Sequence, residues 1–156
     1  MIFGTRGSKT QIEEGTDFSP KFDQEGLIPV VTSDYASGTI LMQAYMNQEA
    51  LAKSIEMGEA VYYSRSRKKL WHKGEESGHI QKIREILIDC DQDCIWLRVD
   101  QIGDASCHVG YRSCFYRVVP TGSFGRSKQP IQLKINSQKV FDPKEVYKQS
   151  KDTEKS

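Results

Sequence analysis

The sequence predicts an α+β chain in which many short strands accompany one firm helix. Three observations carry that reading. Ile95, Leu97 and Val99 alternate with Trp96, Arg98 and Asp100, the period of two that a half-buried strand requires. Clusters of Gly, Ser, Asp and Asn cut the other apolar runs to strand length. In the middle of the chain only the stretch from Asn47 to Gly58 has both the start and the stop of a strong helix.

Taken in order, residues 1–26 are rich in Gly, Ser, Thr and charge without sustained periodicity, and read as a flexible N-terminal arm. Leu27 to Val31 and Gly38 to Met46 are apolar runs around Ser33-Asp34-Tyr35-Ala36-Ser37-Gly38, which predicts a hairpin. Asn47 offers a capping oxygen, Glu49 sits in the first helical turn and Gly58 can end the helix, with Leu51 and Ile55 on its buried side. Ala60 to Ser64 reads as a short strand, and Ser64 to Gly78 as a functional loop, too polar and glycine-punctuated for a core element. Ile80 to Asp89 and Ile95 to Asp100 read as paired strands that turn at Asp91-Gln92-Asp93. Beyond a loop through Cys107 and Gly110, Cys114 to Val119 is again β-prone. Residues 121–156 read as a C-terminal extension: a Gly, Ser and Lys-rich stretch to Gln129, a short strand alternating at Ile131, Leu133 and Ile135, a short helix begun by Asp142-Pro143-Lys144-Glu145, and a frayed end from Gln149. No internal repeat is present.

A chain of 156 residues with 37% hydrophobic content suits one domain with its own core. Its 22 basic and 21 acidic residues leave a net charge of +1, so nothing global favours a nucleic-acid polymer or an anionic membrane. Any anion site must be local. The absence of a long apolar run and of a signal-like N-terminus points to the cytoplasm, where Cys90, Cys94, Cys107 and Cys114 read as metal-binding or catalytic rather than disulfide-bonded.

The segment Asp89-Cys90-Asp91-Gln92-Asp93 is the most informative. If its backbone is extended, the three carboxylates share one side and Cys90 faces the other, separating oxygen ligands for a hard cation from a thiolate for a soft one. Three carboxylates suit Mg²⁺, with a plain polar turn an equal alternative. An EF-hand is disfavoured because Cys94 and Asp100 stand where its glycine and glutamate belong. Cys107 and Cys114 flank a loop that Gly110 can bend so that both sulfurs meet one ion. Three thiolates with an open position would hold a Zn²⁺ whose water has a pKa of about 7. Cys94 is the spare, either a substitute ligand or a core residue, and the second is favoured. His108 is open between fourth ligand, surface residue and general acid/base, with acid/base work favoured.

Ser64, Arg65, Ser66 and Arg67 pair hydroxyls with guanidinium forks, a combination suited to phosphate, and Trp71 adds a face for a base. A small phosphorylated ligand fits this local charge better than a polymer does.

These motifs, Asp89-Cys90-Asp91-Gln92-Asp93, Ser64-Arg65-Ser66-Arg67, Leu70-Trp71-His72-Lys73-Gly74, Ser77-Gly78, Cys107-His108-Val109-Gly110 and Arg112-Ser113-Cys114-Phe115-Tyr116, resemble those of the phosphoribosyl-AMP cyclohydrolase family. The resemblance runs from about Leu27 to Val119 and implies a catalytic domain over 27–120, stand-alone because no pyrophosphohydrolase domain follows. It implies hydrolysis of the N1–C6 bond of the adenine ring of phosphoribosyl-AMP in histidine biosynthesis, with Zn²⁺ and Mg²⁺ as cofactors. It further implies a predominantly antiparallel β fold with a packed helix, and a homodimer whose zinc site combines Cys90 of one subunit with Cys107 and Cys114 of the other. Asp89, Asp91 and Asp93 would hold magnesium, His108 would be catalytic, and Ser64, Arg65, Ser66, Arg67, Trp71, Lys73 and Ser77 would contact the nucleotide. Two positions depart from the family pattern: Glu76 stands where Thr or Ser is usual, and Val109 where Thr is common.

Two other readings compete. A non-catalytic zinc module binding RNA or protein explains the cysteines but not the aspartates, and a nucleobase deaminase would need a His-x-Glu and Pro-Cys-x-x-Cys signature that is missing.

Overall fold

The computed structural model describes residues 2–103, 105–122 and 130–140. The helix expected at Asp142, the frayed end from Gln149 and most of the Gly, Ser and Lys-rich stretch lie outside the described residues. In chain order the elements are α1 (Lys9–Glu14), β1 (Ile28–Asp34), β2 (Ile40–Met46), α2 (Gln48–Met57), β3 (Val61–Ser64), β4 (Lys69–His72), β5 (Gln81–Ile88), β6 (Ile95–Gln101), β7 (Arg117–Val118) and β8 (Lys134–Ile135).

Two antiparallel hairpins, β1/β2 and β5/β6, form where the turn residues place them, and they dock side by side into one four-stranded sheet ordered β2-β1-β6-β5. The central pair, β1 and β6, runs parallel with Val30 opposite Ile95 and Asp34 opposite Val99. The sheet is therefore mixed, and the expectation of a predominantly antiparallel fold needs that correction at its centre. The α+β class and the mostly β content hold. The reason is that a hairpin's internal pairing is set by its own turn, whereas the docking of two hairpins is set by which buried edges meet.

One face of this sheet is the core. Ile28, Val30, Leu41, Met46, Ile95, Leu97 and Val99 are fully or almost fully enclosed, and α2 and β3 cover them with Ala50, Leu51, Val61 and Tyr62. Each fully buried Leu or Ile contributes about 1.5–3 kcal/mol of transfer free energy. Asn47 caps α2 by accepting from Ala50 N at 2.8 Å, and Gly58 closes it in the left-handed conformation. The buried side of α2 is Ala50, Leu51 and Ser54, while Ile55 is 43% exposed, against the expectation for it. Ser54 takes the inner position because its hydroxyl bonds Ala50 O and both the N–H and the C=O of Val61, which ties the helix to β3.

The polar loop predicted from Ser64 to Gly78 contains β4, which pairs with β3 as a hairpin: Tyr62 faces Trp71 and Tyr63 faces Leu70. Four turn residues, 65–68, leave the basic side chains at its tip. Residues 2–26, read as a flexible arm, carry α1, capped by a reciprocal Ser8–Gln11 box, and an edge-to-face cluster of Phe3, Phe18 and Phe22 packed against the core. Aromatic residues scattered without period give no strand or helix signal, yet they suffice to dock a chain segment. The late strand is only two residues long in β8, and Ile131, Leu133 and Ile135 are all exposed, so their alternation buries nothing among the described residues. No helix among the described residues is long and apolar enough to cross a membrane.

Candidate metal and nucleotide site

Between β5 and β6 the chain reverses through Asp89 to Cys94. Asp89 Oδ1 accepts from the N–H groups of Asp93 (2.9 Å) and Cys94 (3.0 Å), and Gln92 adopts φ +58°, a left-handed conformation unusual for a residue with a side chain. Gln92 is held there from outside the turn. Its Oε1 accepts from Ser19 N, its amide donates to Ile12 O and Asp17 O, and its carbonyl accepts from Lys21 N. Oxygens of Asp89, Asp91 and Asp93 thereby come within 4.8 Å of one another at the surface. The carboxylates do converge as expected, but by a turn and not by the alternation of an extended strand. Crowding has an electrostatic signature: hydrogen bonds to Asp89 and Asp91, then burial and their charge, push Asp93 up to about 6. Burial opposes ionisation of Asp89, but hydrogen bonds from Asp93 and Cys94 outweigh it and hold that carboxyl below its usual range. Such a set shares protons when bare and is suited to a divalent cation.

The thiol pocket forms at a different place. The loop from Cys107 to Cys114 is stitched to β2, with Cys114 N donating to Leu41 O (2.6 Å) and Ser113 Oγ to Ile40 O (2.7 Å), and to the end of β1, where Arg112 lies 3.4 Å from Asp34. Gly110, at φ +107°, lets the loop fold back so that its N–H reaches Cys107 O and Cys107 N reaches Tyr111 O. The Cys107 and Cys114 thiols end in hydrogen-bonding contact. Burial, then the neighbouring Cys107 sulfur, pushes the Cys114 thiol up to about 11, while Lys73 and the Ser106 hydroxyl pull the other way. Cys107 is buried and Cys114 is exposed as a residue, with its sulfur turned inward. Cys90 is exposed on the acidic turn, and among the described residues it joins no three-ligand group with the other two. Cys94 is half-buried and its thiol is raised by burial first and then by the charges of Asp89, Asp93 and Asp91, in keeping with a packing role.

Lys73 continues β4 into this pocket. Its N–H is fixed to Ala60 O, and the chain turns immediately at Gly74, where a Cβ would collide with the backbone of His79 and Ile80. The Lys73 ammonium is enclosed, donates to Ser106 O at 2.5 Å and lies 5.3 Å from the centre of the Trp71 ring. Burial lowers its pKa, and the two thiols counteract that.

A cavity of about 170 Å³ is lined by Lys73, Ser77, Ser106 and Cys114 among others, and a second of about 490 Å³ by Tyr45, Ser64, Arg65 and Ser66. The two share Arg67, Trp71, Glu76 and His108, so Cys114 and the basic hairpin tip lie on adjoining cavities that make up one cleft. Arg65 stacks on Tyr45 at 4.2 Å, and Arg67 donates to Ser64 Oγ at 3.3 Å. Every residue expected to contact a nucleotide therefore borders this cleft. The acidic turn does not; Asp89 instead borders a separate apolar groove of about 500 Å³ with Trp96 and Leu87. Reading the sequence missed Ser106, whose hydroxyl is buried against the Cys114 thiol without a regular hydrogen bond, and a buried chain of hydrogen bonds in which Tyr62 OH bridges Thr32 and Gln81, and Gln81 reaches Gln101. Neither lies in a patterned motif that could announce it.

The profile of the phosphoribosyl-AMP cyclohydrolase family matches residues 42–116. The chain is 54% identical over 136 residues to a phosphoribosyl-AMP cyclohydrolase of Rhodopseudomonas palustris, covering 87% of this chain and 90% of the relative. It is 48% identical over 143 residues to one from Nitrobacter hamburgensis (92% and 95%), and 48% over 141 residues to one from Nitrobacter winogradskyi (90% and 94%).

Proposed function

The chain belongs to the phosphoribosyl-AMP cyclohydrolase family, and from that premise we propose that it is a metal-dependent hydrolase that opens the adenine ring of 1-(5-phosphoribosyl)-AMP at N1–C6. The product is the formimino carboxamide ribotide of histidine biosynthesis, made in the cytoplasm. The single observation that carries the reading is the pair of adjoining cavities that links Cys114, whose thiol contacts Cys107, to His108, Trp71 and the basic hairpin tip.

The donor set fits zinc. Two thiols in contact, a buried ammonium beside them and an enclosed hydroxyl against Cys114 without a regular hydrogen bond are a poor solution for neutral sulfurs and a good one for thiolates. Cys107 and Cys114 would hold the ion, with Cys90 from a second copy as third ligand, because Cys90 of the same chain is not grouped with them. When bound with an open position, zinc supplies a water whose pKa is about 7, a nucleophile at neutral pH. Cys90 and the three aspartates occupy one turn, so a homodimer that brings in the thiolate also brings Asp89, Asp91 and Asp93 to the cleft mouth, where Mg²⁺ would meet phosphate oxygens.

The chain's remaining work is binding and proton transfer. Arg65 and Arg67, with Ser64 and Ser66, take the phosphates, and Trp71 offers its face to the base. A ribosyl group on N1 leaves C6 electron-poor. His108, exposed and lining both cavities, would take a proton from the attacking water and return it to N1 as the C–N bond breaks.

The test is absorbance of purified protein with phosphoribosyl-AMP, with and without a zinc chelator and across Mg²⁺ concentrations. Turnover that stops with the chelator and returns with zinc is expected. No turnover by folded, metal-replete protein overturns the reading.

A further inference from the structure

We propose that the Ser106 hydroxyl and the Lys73 ammonium are positioning groups for a metal-bound thiolate pair, two donors set beside Cys107 and Cys114 that sulfurs held on a metal would engage as strong acceptors. This rests on the zinc reading above and goes beyond it, since neither group is a ligand and Ser106 belongs to no motif of the site.

Three observations converge. Ser106 is 2% exposed, and its Oγ makes no hydrogen bond of regular geometry among the described residues, its one polar interaction being with the Cys114 thiol. Native folds rarely leave such a group poorly paired unless something absent completes it. Lys73 is 7% exposed, and among the described residues no carboxylate lies within ion-pair distance of its ammonium; its contacts are Ser106 O at 2.5 Å and the face of Trp71. A buried cation without a counter-ion is costly, so the fold is expected to supply one. The third observation is location: both donors border the cavity that Cys114 lines, and Ser106 immediately precedes Cys107.

A neutral thiol is a weak acceptor; a thiolate on zinc is a strong one and carries charge. Zinc with three thiolates bears one net negative charge, which one ammonium balances. The Lys73–Ser106 carbonyl bond also fixes the backbone next to Cys107, so the same side chain sets both the charge and the position of a ligand. Lys73 then belongs to the metal, whereas Arg65 and Arg67 at the hairpin tip belong to the nucleotide.

The experiment compares unaltered protein with Ser106→Ala and Lys73→Met, measuring zinc affinity against a chromophoric chelator and thermal unfolding after metal removal. Ser106→Ala is expected to hold zinc about 10-fold more weakly, the lower end of the usual effect of losing an outer donor. Its metal-stripped form is expected to melt no lower than the unaltered one, because a poorly paired buried hydroxyl has gone. Lys73→Met is expected to weaken zinc more than Ser106→Ala does. Unchanged zinc affinity in Ser106→Ala overturns the inference, as does a stripped form that melts lower, which would make the hydroxyl structural. Lys73→Met with unchanged zinc affinity and a raised KM would assign the ammonium to the nucleotide and also overturn it. Ser106→Ala decides the matter if Lys73→Met does not fold. Failure of the unaltered protein to bind zinc would instead remove the zinc reading itself.

Discussion

The acidic turn and the thiol pocket are built in opposite ways. The turn takes all three carboxylates from five consecutive residues of one hairpin and lies at the surface, braced from outside by the N-terminal segment through Gln92. The pocket draws Lys73 from the end of β4 and Cys107 and Cys114 from a loop sewn to β1 and β2, and its groups are largely enclosed. The difference suits the ions proposed for each. A hard cation that keeps waters tolerates exposure and approximate spacing, whereas a thiolate site gains from exclusion of water and from fixed outer donors.

If the two regions are independent, breaking one should spare the other. The largest effect is expected for Cys107→Ala, which should remove zinc and activity together; metal analysis alongside turnover checks it, and zinc retained at full stoichiometry would sink the ligand assignment. Next comes Asp91→Asn. This variant should keep zinc, lose its response to Mg²⁺ and turn over about 100-fold more slowly, the scale of a misplaced substrate. Loss of zinc from Asp91→Asn would mean that the turn and the pocket fold as one unit. The smallest effect concerns the cleft between them. Glu76 lines both cavities beside Arg67, so Glu76→Thr should lower KM for the phosphorylated substrate a few-fold with kcat little changed. Steady-state kinetics read this directly, and a raised KM would show that Glu76 helps to order the arginines.

The same contrast explains what could be read before the fold was known. The carboxylate cluster was legible because its members are neighbours in sequence, although the turn that gathers them depends on Gln92 and on Ser19, far away in the chain. The α2 caps were legible for the same reason, since Asn47 reaches only to Ala50. The Cys107–Cys114 contact was foreseeable from the glycine between them. What stayed hidden involves long-range choice: the parallel meeting of β1 with β6, the placing of Ser54 rather than Ile55 inside α2, and the arrival of Lys73 behind the thiols rather than among the arginines of the hairpin tip. Each was decided by hydrogen bonds to distant backbone, which leave no local period.

The parallel centre of the sheet also sets a timetable. β1 finds β2 a few residues later, but its other edge stays open until β6 has been synthesised, after α2 and three further strands. Through that interval a growing chain carries an unpaired edge next to Val30 and Thr32, side chains meant for the core. Closing the sheet is then a slow, non-local event, and the moment at which β6 slots in is when a nascent chain stops being prone to stick to its neighbours.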